Sequence, residues 1–226
     1  MIRLNRLSKS FRRNGLTRHI LHDVSFTLPD VPGIAVLGRN GAGKSTLLRL
    51  ISGSLAPDAG SVETTDNISW PMGFGGGFHP ALSGAQNARF VARVHGRDPT
   101  KLAEFVALYS ELGPAFQHPV ETYSTGMRAR LAFATSIAID FDVYLVDEII
   151  GVGDAAFRRK CQISFRQRLN RARVLMVSHN ADTLRTFCQS ALLLENGHLH
   201  WFPELEDGLT ALQRIMGLTP AEEAIA

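Results

Sequence analysis

Three apolar runs of four residues stand out along the chain: Ile34–Leu37, Val143–Val146 and Val174–Val177. Each is unbroken by polar positions, and each ends in glycine, acid or hydroxyl residues. Short runs without alternation predict strands buried on both faces, as in a parallel sheet. The front of the chain reads differently. LNRLSKSF and HILHDVSFTL alternate with a period of two, which predicts antiparallel strands, and Pro29 and Pro32 close that segment. Ser61–Trp70 predicts one more strand. From Gly84 to Ala138 the spacing turns helical, with Lys101–Gly113 as an amphipathic helix. Asp142–Leu194 returns to strand–helix–strand alternation, and QSALLLENGHLHWF predicts a late hairpin turning at Asn196-Gly197. The last residues, AEEAIA, predict a frayed end. No internal repeat or low-complexity segment is visible.

Composition narrows the class. With 226 residues and 45% apolar content, the chain can bury a substantial core. Its two cysteines, Cys161 and Cys188, fall in helical-looking stretches and predict reduced thiols, not a disulfide framework. The first ten residues form no apolar leader. The longest apolar stretch, Leu131–Ile139, is too short to span a bilayer, so membrane contact is expected only through a partner. The net charge is +3, and the one basic concentration is Phe157–Arg173. Two readings of it are open: the solvated face of a helix, or a contact with anionic lipid. No aromatic platform accompanies it, which speaks against nucleic acid.

The sharpest chemistry follows the first apolar run. Gly38-Arg39-Asn40-Gly41-Ala42-Gly43-Lys44-Ser45 is a complete G-x-x-x-x-G-K-[ST] pattern, and Leu47, Leu48, Leu50 and Ile51 follow at helical spacing. Glycines let the backbone wrap phosphates, and the loop N–H groups with the helix start cradle them. Lys44 supplies a point charge to the β- and γ-phosphates. The Ser45 hydroxyl suits Mg²⁺, and Thr46 can bond the α-phosphate. The second run ends in Asp147-Glu148. Asp147 is placed to hold Mg²⁺, and Glu148 to polarise a water aimed at the γ-phosphate. The third run is followed by His179, at the same sheet edge, where an imidazole could donate to a phosphate oxygen or hold that water. A second anion device, Ser124-Thr125-Gly126-Met127, opens a helix some eighty residues after the loop.

Taken together, these motifs resemble the ATP-binding subunit of ABC transporters over nearly the whole chain. The order agrees: phosphate loop, signature segment at Ser124–Arg128, acid pair, histidine. Asp154 lies six residues after Glu148, and His179 thirty-one after it. The resemblance implies an α/β P-loop NTPase fold of the ABC type, with a parallel-sheet core, an antiparallel β subdomain and an inserted helical subdomain. It implies one nucleotide-binding domain over 1–226, with core at about 1–80 and 140–205, helical subdomain at about 82–138 and a C-terminal tail at 206–226. ATP and Mg²⁺ would be the cofactors and ATP hydrolysis the reaction. Two copies would pack head to tail, each ATP lying between the phosphate loop of one and Ser124–Met127 of the other. Asp154 would be the D-loop aspartate. Phe11 matches the position of an adenine-stacking aromatic, with a core phenylalanine as the other reading.

Two departures refine the picture. The signature is Tyr-Ser-Thr-Gly-Met, keeping only the serine and second glycine of Leu-Ser-Gly-Gly-Gln. The glycine-rich GFGGGFHPALSGAQN has no glutamine near Phe74 and Gly75, and Gln86 comes too late for the family's glutamine loop. With VDEIIGVGDAAFRRKC, these segments look like the subfamily exporting capsular polysaccharide, O-antigen or teichoic acid, the capsule branch above all. That resemblance implies integral permease subunits as separate chains, docked near Gly75–His79 and the helical subdomain. It places the protein at the cytoplasmic face of a bacterial inner membrane, with no nucleic-acid partner and no added carbohydrate domain. Another ABC transporter's ATP-binding subunit, or a catalytically weak regulatory one, is the alternative. The 77 residues between Thr46 and Ser124 leave no room for the long coiled coil of DNA-acting relatives.

Overall fold

A computed structural model describes residues 1–13, 15–72, 77–148 and 154–217. In chain order the strands and helices are β1 (Ile2–Arg13), β2 (Leu16–Thr27), β3 (Gly33–Leu37), α1 (Lys44–Ile51), β4 (Ala59–Thr64), α2 (Gly84–Val94), α3 (Pro99–Ser110), α4 (Thr125–Ile137), β5 (Val143–Asp147), α5 (Ala155–Leu169), β6 (Arg173–Val177), α6 (Ala181–Phe187), β7 (Ser190–Glu195), β8 (His198–Phe202) and α7 (Leu205–Met216). They divide into two units, one comprising 1–71, 142–148 and 172–226, the other 72–141 and 149–171.

The first unit holds both sheets. An antiparallel sheet has the order β2-β1-β4, and a five-stranded sheet the order β5-β6-β3-β7-β8, parallel except for β8. The apolar runs behave as their lack of alternation requires, since every residue of β3 and β5 is buried. Ile34, Val36, Leu145, Leu175, Leu192 and the α1 residues Leu47, Leu48 and Ile51 share one core with Leu4, Leu7 and Leu21 of the β1–β2 ladder. Asn196 and Gly197 turn the β7–β8 hairpin with φ of 47° and 82°, the left-handed pair a two-residue turn needs. The strand expected over Ser61–Trp70 is shorter. β4 stops at Thr64, whose hydroxyl accepts from the Asp66 N–H, and Asp66 turns inward to the N-terminal ammonium and Arg173. Beyond it Ile68 forms an isolated parallel bridge to Val143. Within 206–226, α7 lies on β7 and β3; AEEAIA lies outside the described residues.

The second unit is helical. Ser83 and Gln86 close a capping box at the start of α2, the Ser83 N–H donating to Gln86 Oε1 at 2.9 Å and the Gln86 N–H to Ser83 Oγ at 3.2 Å. Gln86 thus has a structural post. Asn87, 1% exposed, accepts from the His79 N–H and donates to the carbonyls of His79, Leu82 and Ser83, fixing the approach to that helix. In α5, Phe157, Cys161 and Phe165 are buried at helical spacing, while Arg158, Arg159 and Arg166 are exposed. Burial pushes both thiols up to about 12, so neither cysteine is a thiolate near neutral pH. Cys188 is not helical as expected; it caps α6 with extended backbone. No described helix is long and apolar enough to cross a membrane.

Candidate nucleotide site

The strand order explains why distant motifs converge. β3 is flanked by β6 and β7, and β5 lies beyond β6, all parallel. Their carboxyl ends therefore share one edge. Asp147 pairs in register with Val177, and the Glu148 N–H donates to the Val177 carbonyl at 2.9 Å, so the acid pair and the segment leading to His179 meet. Beyond β3 the chain turns through Gly38–Gly43 into α1. Gly43 ends that turn with φ 110°, and a Cβ there would come within 2.2 Å of Ile20 Cγ2. Glycine is required on both counts.

A cavity of about 780 Å³ opens on this edge, lined by Asn40, Gly41, Gly43, Lys44, Ser45 and Thr46 of the loop and helix, by Glu148, Val177 and His179, and by Phe11, Leu16, Arg18 and Ile20 of the β1–β2 hairpin. Phe11 is 44% exposed, with the Lys9 ammonium 5.6 Å from its ring centre, so it is no core residue. Gly38, Arg39 and Ala42 line a second cavity, of about 510 Å³, with Leu212 and Ile215 of α7; Arg18 and Asn40 line both.

Charge in the site is unbalanced. Lys44 Nζ donates to the Gly38 carbonyl at 2.7 Å and to that of Arg39 at 3.2 Å. Burial lowers its pKa, against the opposing pull of Glu148 and Asp147. Asp147 is 8% exposed, and burial raises its pKa; a hydrogen bond from Ser45 acts the other way. Its Oδ2 is buried with no hydrogen-bond partner among the described residues. A buried, half-satisfied carboxylate beside a serine hydroxyl is a hard oxygen pair that suits a divalent cation. Glu148 stands at φ 65°, rare for a side chain with a Cβ, and contacts His179 Nε2.

The helical unit carries the other expected residues. Ser124 caps α4, its hydroxyl accepting from the Met127 N–H at 3.2 Å. Ser124, Thr125 and Gly126 are exposed, Met127 half-buried. The signature's tyrosine has a structural cause: Tyr123 is 3% exposed and donates to the Ala115 carbonyl at 2.6 Å. Among the described residues Gly126 has no such cause: a Cβ there would meet nothing nearer than Ser124 Oγ at 3.9 Å, yet glycine within a helix costs about 1 kcal/mol relative to alanine. Asp154 caps α5 through the Phe157 N–H at 2.9 Å and accepts from Arg130 Nη2 at 2.9 Å. That Arg130 contact was not foreseen; nothing in the local spacing signals it. The segment 149–153 before Asp154, and 73–76 where a glutamine loop was sought and where part of the Gly75–His79 dock falls, lie outside the described residues.

Phosphate loop, acid pair and histidine on one parallel-sheet edge define a P-loop nucleotide-binding protein. A sequence model described as "ABC transporter" matches residues 21–151. The chain is 41% identical over 206 residues to the ATP-binding protein BexA of Haemophilus influenzae and 42% identical over 206 residues to the capsule polysaccharide export ATP-binding protein CtrD of Neisseria meningitidis serogroup B, in both cases over 91% of this chain and 95% of the relative. An O-antigen export system ATP-binding protein, RfbB of Klebsiella pneumoniae, is 37% identical over 79% of this chain and 74% of its own. The chain belongs to the ABC transporter family. Its fold is that of a dimeric, post-hydrolysis ATP-binding cassette, MJ0796, bound to ADP and Pi, at a TM-score of 0.75 and 20% identity over 91% of this chain and 99% of that one.

Proposed function

We propose that this chain is the ATP-hydrolysing subunit that powers export of a capsular or related cell-surface polysaccharide across a bacterial inner membrane. It works on the cytoplasmic face as a head-to-tail homodimer, joined to separate integral permease subunits. The export systems named for its relatives support the substrate class. The observation that carries the composite site is Gly126: the described residues of its own protomer give no reason to omit a side chain, which supports a bare, exposed N-terminus of α4 kept for something that approaches from outside. A partner's triphosphate fits, since the Ser124 hydroxyl, the Thr125 and Gly126 amides and the helix dipole all favour an anion there.

Within one protomer, the backbone N–H groups of Gly38–Gly43 and of the α1 start hold the β-phosphate. Lys44 leaves its loop carbonyls for the β- and γ-phosphates, Thr46 bonds the α-phosphate, and Phe11 stacks on adenine. Ser45 and Asp147 would hold Mg²⁺, which when bound supplies positive charge beside the transferred phosphoryl group. Glu148 accepts hydrogen from the attacking water, and His179 holds Glu148 oriented and faces the γ-phosphate. Asp154 fixes the start of α5 beside the segment that follows the acid pair in sequence.

Replacing Glu148 with glutamine tests this. Glu148→Gln is expected to bind Mg-ATP, lose turnover and elute as a dimer only with nucleotide, whereas Lys44→Ala loses binding altogether. A Glu148→Gln protein that stays monomeric in saturating Mg-ATP, alone and with its permease, would sink the composite site.

A further inference from the structure

Outside the recognised motifs, one side chain ties the β1–β2 hairpin to the phosphate loop. β2 presents Leu16, Arg18 and Ile20 with a period of two, hence on one side of the strand, and all three line the 780 Å³ cavity. Ile20 is 5% exposed and abuts Gly43. Arg18 stands directly opposite Phe11 in the antiparallel ladder, so the two side chains share a face at neighbouring positions. From there Arg18 Nη2 donates to the Gly41 carbonyl at 2.6 Å. The guanidinium is thus bonded to the phosphate loop, while its backbone position lies across the ladder from Phe11. Lys44 holds the Gly38 and Arg39 carbonyls, and Arg18 holds the next one along that points to a cation. A guanidinium carries five N–H donors in a rigid fork, so the single bond to Gly41 leaves donors for a ligand in the cavity that Arg18 lines.

We infer that Arg18 is a further nucleotide-binding residue, bracing the phosphate loop at Gly41 and contacting the ribose and α-phosphate of an adenine nucleotide whose base lies on Phe11. This rests on the nucleotide-site reading above. A base on Phe11 and a β-phosphate in the loop leave the ribose and α-phosphate to cross between them, past the Arg18 fork. When Lys44 moves to the incoming phosphates, Arg18 is the cation that keeps the loop in its wrapped shape, because its anchor is the hairpin and not the loop itself.

The test is calorimetric titration of ATP and of ADP into wild type, Arg18→Ala, Arg18→Met, Arg18→Lys and Lys44→Ala, with the melting temperature of each protein measured without nucleotide. Arg18 is exposed, so its variants should melt with wild type. Arg18→Ala and Arg18→Met, which keeps the aliphatic stem, are expected to bind both nucleotides about tenfold more weakly or worse, as loss of a charge-assisted bond implies. ATP and ADP lose alike, because both carry the ribose and α-phosphate. Arg18→Lys recovers part of the loss, having the charge without the fork. In turnover, KM rises while kcat holds. Unchanged affinity in Arg18→Ala and Arg18→Met, or a fall in kcat at unchanged KM, would overturn the inference and leave the nucleotide site standing. A wild type that binds neither nucleotide, like Lys44→Ala, would overturn the site itself.

Discussion

Replacing Ser124 with aspartate separates the cap that its hydroxyl forms from the triphosphate contact proposed for it. As the cap of α4 it accepts the Met127 N–H at 3.2 Å. Loss of such a cap costs about 1 kcal/mol, so Ser124→Ala should lower the melting temperature by roughly 2–4 °C in a chain of this size. Aspartate caps as well as serine, and its charge is favoured at a helix N-terminus by about 0.3–1 kcal/mol, so Ser124→Asp should melt with wild type or slightly above it. Across a dimer interface the same carboxylate would face a triphosphate. Two unit charges about 4 Å apart at an effective dielectric near 20 repel by about 4 kcal/mol, close to a thousandfold in affinity at each of the two sites. The assay pairs thermal unfolding without nucleotide with sizing in Mg-ATP on the Glu148→Gln background. Ser124→Asp should be a stable monomer that still binds ATP, and Ser124→Ala a weakened dimer. A Ser124→Asp, Glu148→Gln protein that dimerises with ATP at the parent's concentration range would refute the reasoning, because the cap would then face no anion.

Two further outcomes follow from packing and charge. Gly43→Ala meets both a positive φ and Ile20 Cγ2 at 2.2 Å; it should lose about 1–3 kcal/mol in urea unfolding together with its nucleotide-induced rise in melting temperature. Adding Ile20→Ala removes the overlap but not the backbone strain, so the double variant should regain nucleotide binding only in part. Asp58 accepts from Lys9 Nζ at 2.7 Å, the Ser10 N–H at 2.6 Å and Ser10 Oγ at 2.9 Å, and the Lys9 bond above all holds its carboxyl down to about 2. The folded value is depressed, so its contribution to stability is complete above the ordinary 3.8 and disappears as pH falls through about 2. Asp58→Asn lacks that contribution at every pH, so its unfolding free energy in urea should fall below wild type near neutrality and the two should converge as pH drops from about 4 to 2.

Where the physics is local, the residues announced themselves. An unalternating run such as Val143–Val146 predicts a strand buried on both faces, a glycine-lysine loop between strand and helix predicts a phosphate site, and Asn196-Gly197 supplies the two left-handed residues its hairpin uses. Those features need no more chain than they occupy. The sequence alone therefore determined the alternation of elements, the glycine-lysine loop ahead of a helix, the acid pair at a strand end and the serine that opens α4. It could not determine what meets what. Arg18 reaches Gly41 across 23 residues of chain, and Leu145 donates to Ser69 Oγ across 76. Tyr123, which reads as a departure from a motif, proves to be a buried donor to Ala115, and Gln86 a capping partner of Ser83. Such contacts depend on strand order and register, and on which groups burial leaves short of a partner. They are set by the free energy of the whole packed chain, which no window of a few residues contains.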